Sequence, residues 1–315
     1  MKADHLKGSA LLLLCAIIWG FAFSAQDIAA ATVGVFAIGA TRSVFATVVL
    51  AVTVLITDAV TKNGRFLLSR RRRPLTRREL IGGVLCGTAL AVASALQQAG
   101  ITTSGAGKAS FITALYVVLV PIAGALLFRR RIGWHLWVAV AIALVGLSLI
   151  TLGGDLTLAL GDILLLLCAV CFCGQILLID HFLPSSDGVR LSMVQFATCA
   201  VLNTVFALLF EDISFPAIGG AILPLLFLGV MSSGCAYTLQ IIGQRYCPPT
   251  PAAILMSTEA LFGVLGATLV LGQILSTREY IGCGVMFLAI ILSQLPPPSA
   301  WRQHRKASAP IKSKK

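Results

Sequence analysis

The sequence predicts an all-α integral membrane protein with ten transmembrane helices in two inverted five-helix repeats. Three observations predict this fold class: an apolar composition, apolar runs long enough to cross a bilayer, and similarity between the two halves of the chain. Of the 315 residues, 58% are hydrophobic and only 11% are charged, and the mean hydropathy is +0.95. A soluble protein carries about 25% charged residues, so this composition indicates a membrane protein.

Each predicted span is an apolar run bounded by charged residues, Pro or Gly. An α-helix rises about 1.5 Å per residue, so about 20 residues cross about 30 Å of hydrocarbon. The first-half spans are Gly8–Ala25, Gly34–Thr57, Leu80–Gln98, Ala109–Phe128 and Trp134–Leu152. The second-half spans are Leu160–Ile179, Val189–Phe210, Ile218–Ile242, Ala252–Leu271 and Tyr280–Leu295. We interpret the first as an uncleaved helix, because it continues beyond the length of a signal-peptide core.

The chain divides into two repeats and a tail. Residues 1–152 form the first repeat, with helices one to five, and residues 153–295 form the second, with helices six to ten. The basic tail, residues 296–315, follows three consecutive prolines and is expected to be disordered.

Polar matches at constant offsets support the repeat. The segment Gly8–Ala16 recurs as Gly161–Ala169, and the same offset places Asp27 on Asp180. A second ungapped offset places Gln97 on Gln240, Ala109 on Ala252 and Tyr116 on Glu259. With five spans in each half, the second half enters the membrane from the opposite face. Inverted repeats place solute sites near the bilayer midplane, where the halves meet.

The basic residues predict the orientation. With a cytoplasmic N-terminus, only Arg278 of the 24 Lys and Arg residues falls in an outside loop, while Arg42 and Lys108 lie in or beside helices. The positive-inside bias therefore places both termini in the cytoplasm. We expect a multi-pass protein of the bacterial inner membrane. We read the run Arg70–Arg73 as part of this topology signal rather than as a lipid-binding patch.

The same placement explains the net charge of +12 without a nucleic-acid partner. The expected partners are therefore the lipid bilayer and a small-molecule solute, and the protein is expected to be a monomer or a homodimer. The nine cysteines lie in or at the ends of apolar runs, where small buried side chains are the default. The pair Cys171 and Cys173 lacks metal-binding spacing, and the four histidines are scattered. We predict no catalytic residue, no metal and no cofactor.

Glu259 is a carboxylate near the middle of the ninth span. An ionisable side chain at that depth costs about 2.5–3.5 kcal/mol on insertion scales, so it usually faces a protein interior or a wet cavity. Glu259 is either part of a solute pathway or a structural glutamate, kept neutral or paired with Arg42 or Lys108. Arg42, inside the second span, could itself bind an anionic solute group or neutralise Glu259 or Asp27.

Other polar and aromatic residues within the spans predict a central cavity lined by helices one, three and four with their partners six, eight and nine. The lipid core offers polar side chains no hydrogen-bond partner. The predicted solute-binding residues are Trp19, Phe23, Gln97, Lys108, Tyr116, Tyr237, Gln240 and Glu259, with Glu259 also the proton-coupling candidate. Aromatic rings would form walls for an organic solute. The alternative is that the Gln and Tyr residues make interhelical hydrogen bonds that hold the bundle together.

Several short segments are also typical of one transporter family. They are Trp19–Phe23, Gln97–Ile101, Ala106–Pro121, Tyr237–Gln240 and Ser257–Glu259. In this order and spacing the chain resembles, over nearly its full length, the EamA-type family of the drug/metabolite transporter superfamily. The resemblance implies a ten-helix inverted-repeat carrier of small metabolites, with the fourth and ninth helices lining the pathway.

We therefore expect a secondary active transporter that moves an amino acid or related organic solute, in the efflux direction, by alternating access. In the favoured mechanism, protonation of Glu259 is coupled to solute binding beside Tyr116, Gln97 and Gln240. One alternative is a uniporter or exchanger of organic cations or drugs, in which Glu259 recognises a cationic group. The other is a membrane scaffold that transports nothing.

Overall fold

The computed structural model describes residues 2–60, 74–104, 106–128, 132–151, 160–271 and 276–294. Within these ranges the chain is helical and contains no strand. Six helices are long and apolar enough to cross a membrane: Leu6–Ala30, Val35–Ile56, Arg77–Thr103, Leu160–Ser185, Gly188–Phe210 and Ile222–Gln244. Three shorter apolar helices cover Ile112–Leu127, Trp134–Leu149 and Tyr280–Ser293. The chain is therefore a multi-pass membrane protein, whereas the predicted tail lies outside the described residues.

The helices follow one another as the apolar runs predict, with more breaks. The first half contains α1 Lys2–Ala30, α2 Val35–Val60, α3 Arg77–Ser104, α4 Ala106–Ala114, α5 Tyr116–Phe128 and α6 Trp134–Thr151. The second half begins with α7 Leu160–Phe182, α8 Gly188–Phe210, α9 Phe215–Gly220 and α10 Ile222–Leu226. A π-helical segment, Phe227–Ala236, then leads into α11 Tyr237–Gln244, α12 Pro249–Met256, α13 Glu259–Leu271 and α14 Thr277–Gln294.

The predicted fourth span is two helices rather than one. α4 ends at Ala114, and α5 begins at Tyr116 after a single turn residue, Leu115. Pro121, inside α5, has no N–H to donate, and its ring crowds the carbonyl one turn earlier, at Val117. The sequence did not reveal this interruption, because apolar residues run through it without a change of pattern.

The predicted ninth span is interrupted in the same way, at Ser257 and Thr258 between α12 and α13. Both hydroxyls donate back to the chain: Ser257 to the carbonyl of Ile254 at 2.9 Å and Thr258 to that of Leu255 at 2.6 Å. Such side-chain bonds compete with the helical pattern of the backbone. Glu259 is consequently the first residue of a new helix and not the middle of a long one.

The helices of the two halves pack against each other throughout the bundle. α3 packs on α7 and α8, while α1 packs on α13, on α11 and on the π-helical segment. α2 packs on α8, and α6 on α14. Side chains on the outer faces remain apolar and exposed, for example Leu126, Leu127, Leu208 and Leu209. An apolar outer face is what a helix in contact with lipid requires.

Polar contacts at both ends show that α2 and α8 are antiparallel. Arg190, near the start of α8, pairs with Asp58, near the end of α2, at 2.6 Å. Glu211, directly after α8, accepts hydrogen bonds from the backbone N–H groups of Phe36 and Ala37, near the start of α2, at 2.8 and 2.9 Å. The two contacts therefore join opposite ends of the same helix pair.

A second set of contacts ties the start of α3 to the link between α7 and α8. Thr76 and Glu79 form a capping box, in which each side chain accepts from the other residue's N–H. The other carboxylate oxygen of Glu79 accepts from the N–H of Asp187 at 2.8 Å. Asp187 in turn caps α8 by accepting from Val189 and Arg190. This end of the bundle is thus closed by polar contacts as well as by packing.

Candidate functional site

A buried cavity of about 30 Å³ lies between the two halves. A water molecule needs about 10–15 Å³ measured in this way, so the cavity has room for about two waters. Pockets that bind organic ligands measure several hundred Å³, on the order of 300–1,000. The lining residues are Trp19, Ala22, Phe23, Gln26, Arg42, Gln97, Tyr116, Phe172, Ile176, Ser232, Tyr237, Gln240, Met256 and Glu259.

The structure brings the predicted solute-binding residues together, with one exception. Trp19, Phe23, Gln97, Tyr116, Tyr237, Gln240 and Glu259 all line this cavity. Lys108 is the exception, because its side chain lies outside the described part of the structure.

Sequence reasoning did not assign Gln26 or Ser232 to the site and left the role of Arg42 open, although all three line the cavity. Gln26 and Ser232 are polar residues in apolar helices, so the rule that selected Gln97 could have selected them too. The rule alone is not sufficient, because Gln98 is also a polar residue of an apolar helix: among the described residues neither of its amide atoms has a hydrogen-bond partner, and Gln98 does not line the cavity.

Glu259 and Tyr116 meet at the cavity. Each is the first residue after a helix interruption, and the hydroxyl of Tyr116 donates to Oε1 of Glu259 at 3.2 Å. Only 5% of the Glu259 residue surface is exposed. The position at the start of α13 also places the carboxylate beside the partial positive charge of a helix N-terminus. An acidic group, a phenol and water-sized space therefore lie together inside the bundle.

α1 reaches the site through a close approach to α13. A methyl group added at Gly20 would lie only 2.4 Å from Cβ of Phe262, so this helix contact requires the glycine. Gly266 also lies against α1, where it contacts Phe21. This packing sets Glu259 beside the two α1 aromatics of the cavity, Trp19 and Phe23.

The aromatic residues of the wall contact one another. The Trp19 and Tyr237 rings are 4.6 Å apart between centroids, and the Tyr116 and Phe172 rings meet edge-on at 6.5 Å. The indole N–H of Trp19 donates to the backbone carbonyl of Ser232 at 3.3 Å. The rings are thus held by packing and by two hydrogen bonds, from Trp19 to Ser232 and from Tyr116 to Glu259, which gives the cavity apolar walls of fixed orientation.

Arg42 is a buried cation with neutral partners. Its Nε donates to Oγ of Ser233 at 2.9 Å, Nη2 to Oγ of Ser232 at 3.1 Å and Nη1 to Oε1 of Gln26 at 3.4 Å. Among the residues that the structure describes, no ion pair joins Arg42 to Glu259 or to Asp27, and Asp27 is exposed. The pairing of Glu259 with Arg42, one of the structural alternatives, is therefore not formed.

The glutamines combine both roles considered from the sequence. Gln240 lines the cavity and also exchanges two hydrogen bonds with Gln175, at 3.2 and 3.4 Å. Gln175 further donates to Gln195 at 3.4 Å. Gln97 lines the cavity and donates to Thr113 at 3.5 Å. These amides therefore link α7, α8 and α11, and α3 with α4, around the cavity. In the described ranges, no cluster of three or more His, Cys, Asp or Glu residues is arranged to hold a metal.

Comparison with known proteins assigns the family. A sequence model of the EamA-like transporter family matches residues 6–152 and again residues 159–295. A protein of Archaeoglobus fulgidus described as an uncharacterized transporter is 32% identical over 213 residues, which are 68% of each chain. A crystal structure of another protein shares the fold, with a TM-score of 0.73, 16% identity, and coverage of 93% of this chain and 98% of that one. The resemblance noted in the sequence is confirmed, and this chain belongs to the EamA-like transporter family of the drug/metabolite transporter superfamily.

Proposed function

We propose that this protein is a secondary active transporter that exports an amino acid or related organic solute by alternating access between its two halves. The single observation that carries the proposal is the buried pair of Tyr116 and Glu259 on a cavity between the halves. Family membership supplies the class, a membrane transporter. The site supplies the mechanism: the solute binds among the cavity residues, and protonation of Glu259 is coupled to that binding.

Matching helix lengths support ten spans in two repeats. α5 and α13 each contain 13 residues, and they begin at Tyr116 and Glu259, which are 143 residues apart. α6 and α14 each contain 18 residues and follow at the same separation. On this proposal the interrupted pairs α4–α5 and α12–α13 are one span each, and α6 and α14 are the last span of each half.

Reciprocal contacts between the halves support the same relation. A methyl group added at Gly100 on α3 would lie 2.5 Å from Cγ of Leu165 on α7. One added at Gly243 on α11 would lie 2.8 Å from Cγ of Leu12 on α1. The two offsets noted in the sequence carry Gly100 onto Gly243 and Leu12 onto Leu165. A two-fold relation between the halves produces such a pair of contacts.

The antiparallel packing of α2 and α8 supports an inverted relation. These are the second helices of the two repeats, and their ends are joined by the Asp58–Arg190 pair and by Glu211. Equivalent helices that run in opposite directions are expected when two halves cross the membrane with opposite orientation. With the basic loops placed inside, both termini are cytoplasmic and the membrane is the inner membrane.

The size of the cavity favours alternating access over a permanent channel. With room for about two waters, it cannot hold an organic solute, and the Asp58–Arg190 and Glu211 contacts close both ends of α2 and α8. Transport therefore requires a second conformation in which the helices around the cavity separate. Rocking of one half against the other about a central site is the usual motion of inverted-repeat carriers.

Coupling follows from competition at one carboxylate. Ionised Glu259 accepts the hydrogen bond of Tyr116 and can attract a cationic group of the solute. Protonated Glu259 has lost that charge, so it attracts the cationic group less. Because the proton and the solute bind the same group, each changes the affinity for the other by the same factor. A proton gradient can then drive solute export.

Flux in proteoliposomes under an imposed pH gradient tests this mechanism. The solute is first found by a thermal-shift screen of the purified protein against amino acids, nucleosides, sugars and organic cations, since a ligand that binds only the folded state raises stability. Wild-type flux should follow the gradient, and Glu259→Gln should lose this response. Asp27→Asn is the matched control, because Asp27 is exposed and outside the cavity. Gradient-driven transport by Glu259→Gln equal to that of wild type contradicts the coupling role.

The same experiment separates the second candidate, a uniporter or exchanger of organic cations. The carboxylate of Glu259 beside the aromatic rings of Trp19 and Phe23 favours this candidate, since both groups attract cations. It predicts that solute-driven flux is indifferent to the pH gradient, while Glu259→Gln weakens binding of the solute itself. A scaffold that transports nothing would show neither solute binding nor flux.

A further inference from the structure

We propose that Arg42 is the binding site for an anionic group of the transported solute, with carboxylates as the expected class. The inference rests on the proposed function, because it names what the same cavity recognises. It concerns the geometry around the guanidinium: a buried cation held by neutral hydrogen bonds, with unused donors, at the wall of two cavities.

Arg42 carries a buried positive charge whose hydrogen-bond partners are neutral. A cation buried in an apolar interior is normally paired with an anion, because desolvation of an unpaired charge costs several kcal/mol. Only 7% of the Arg42 surface is exposed, and its partners are two hydroxyls and one amide. Within the described residues no carboxylate forms an ion pair with it. These neutral partners orient the guanidinium but leave its charge uncompensated, so an incoming anion is favoured.

The guanidinium of Arg42 has N–H donors that these hydrogen bonds do not use. A guanidinium carries five N–H groups in a planar fork. The bonds to Ser233, Ser232 and Gln26 use one N–H on each nitrogen, so one N–H remains on each of the terminal nitrogens. Guanidinium N–H groups bind carboxylates with short, charge-assisted hydrogen bonds. The π-helical segment places the consecutive serines on one side of this fork.

Two cavities give access to the guanidinium of Arg42. Arg42 lines the cavity of about 30 Å³ and also a second cavity of about 10 Å³, whose wall includes Ser94 and Asn203. Tyr237 is the other residue shared by both cavities. The guanidinium therefore borders water-sized space on two sides. A carboxylate can occupy this space when the helices around the two cavities separate.

The cavity presents groups of both charges to a solute. Arg42 and Glu259 line the same cavity without pairing, so one wall offers a cation and another a carboxylate. A solute with a carboxylate and an ammonium group matches both charges, whereas a purely cationic solute leaves Arg42 unpaired. A carboxylate site at Arg42 therefore favours an amino-acid-like solute over a purely cationic one.

Paired ligands test the inference in purified protein. L-Leucine, L-phenylalanine and L-serine are each compared with their α-carboxamide, which keeps the ammonium group and loses the carboxylate. Half-maximal thermal stabilisation gives the relative affinity without any contribution from passive permeation. We expect at least one acid to bind at least about tenfold more tightly than its amide, since a hydrogen bond to a charged group contributes on that order.

Variants assign the preference to Arg42. Arg42→Gln should reduce the acid-to-amide ratio to about twofold or less, and Arg42→Lys, which keeps the charge but not the fork, should give an intermediate ratio. Arg278→Gln is the matched control, because Arg278 is exposed at the start of α14. The double variant Ser232→Ala/Ser233→Ala keeps the charge and loses two orienting bonds. It should weaken binding of the acid several-fold more than binding of the amide, and it serves as the test if Arg42→Gln does not fold.

The outcomes are distinguishable. Equal binding of acid and amide by wild type, or a ratio that Arg42→Gln leaves unchanged, overturns the inference while the transporter proposal stands. Stabilisation by none of the three acids contradicts an amino-acid-like solute, and the inference then falls with the proposed function.

Discussion

At the scale of single residues, the contribution of the Tyr116–Glu259 hydrogen bond to the free energy of unfolding can be measured. Tyr116→Phe removes the donor, and a hydrogen bond to a carboxylate contributes about 1.5–3 kcal/mol if the acceptor is ionised and about 0.5–1.5 kcal/mol if it is neutral. We expect a loss of folding free energy in this range, measured by chemical unfolding in detergent. Tyr280→Phe, at an exposed tyrosine, should change stability by less than about 0.5 kcal/mol.

A double-mutant cycle assigns that loss to the pair. Because Glu259→Gln and Tyr116→Phe disrupt one shared bond, their effects should not add, and the difference from additivity should be about 1 kcal/mol or more. Additive effects would mean that the two side chains act independently, and the coupled site proposed for them would lose its main support.

Single residues also show what the sequence could and could not predict about the site. Polar residues in apolar spans are visible in one sequence, and this rule placed Gln97, Gln240 and Glu259 at a common cavity. The partner of Arg42 was not predictable. Ser232 and Ser233 are 190 and 191 residues away from Arg42 in the chain, so no spacing within one helix predicts that they contact it.

At the scale of helices, close packing of α3 on α7 and of α11 on α1 predicts which glycines tolerate a side chain. Gly→Ala in a helix interior gains up to about 1 kcal/mol of intrinsic propensity where space is open, as at Gly174, where an added methyl group would have no atom within 4 Å. At Gly100 and Gly243 the methyl meets Leu165 and Leu12, and overpacking costs about 1–3 kcal/mol.

Unfolding of the three alanine variants in detergent measures this difference. We expect Gly174→Ala to be as stable as wild type or more stable, and Gly100→Ala and Gly243→Ala to be destabilised to a similar degree. Unequal losses at the last two positions would argue against the two-fold relation of the halves, even if both variants were less stable than wild type.

Helix existence was predictable and helix continuity was not. Apolar runs placed the ends of α2, α7 and α8 within three residues of the observed ends, whereas α1 and α3 extend up to six residues beyond the predicted spans. The interruptions at Leu115 and at Ser257 and Thr258 escaped prediction because apolar residues continue on both sides of each break. At Ser257 and Thr258, side-chain hydrogen bonds to the preceding turn accompany the break. These interruptions place Tyr116 and Glu259, the two residues of the proposed coupling site, at helix starts.

At the scale of the whole molecule, α2 and α8 carry one polar contact at each end. The Asp58–Arg190 ion pair joins them at the end proposed to be cytoplasmic. Glu211 joins them at the opposite end through the N–H groups of Phe36 and Ala37. In the proposed alternating access one end opens while the other stays closed, so each contact is expected to stabilise closure of its own side only.

Removing one contact should therefore open the cavity to one side of the membrane, and removing the other contact should open it to the opposite side. Asp58→Asn weakens the ion pair and favours opening to the cytoplasm, whereas Glu211→Gln weakens the other contact and favours opening to the outside. A differential loss of about 1.4 kcal/mol changes the ratio of the two states about tenfold. A cysteine introduced at the buried cavity residue Met256, in a background without the native cysteines, reports which side is open.

Labelling of that cysteine with a membrane-impermeant maleimide, in right-side-out and inside-out vesicles, gives the measurement. Asp58→Asn should accelerate labelling in inside-out vesicles alone, and Glu211→Gln in right-side-out vesicles alone. Thr88→Val, which removes an exposed hydroxyl of α3 bonded only within its own helix, should change neither rate. Acceleration from both sides by either variant would indicate loosening of the bundle, and the reciprocal closure on which alternating access depends would be excluded for this helix pair.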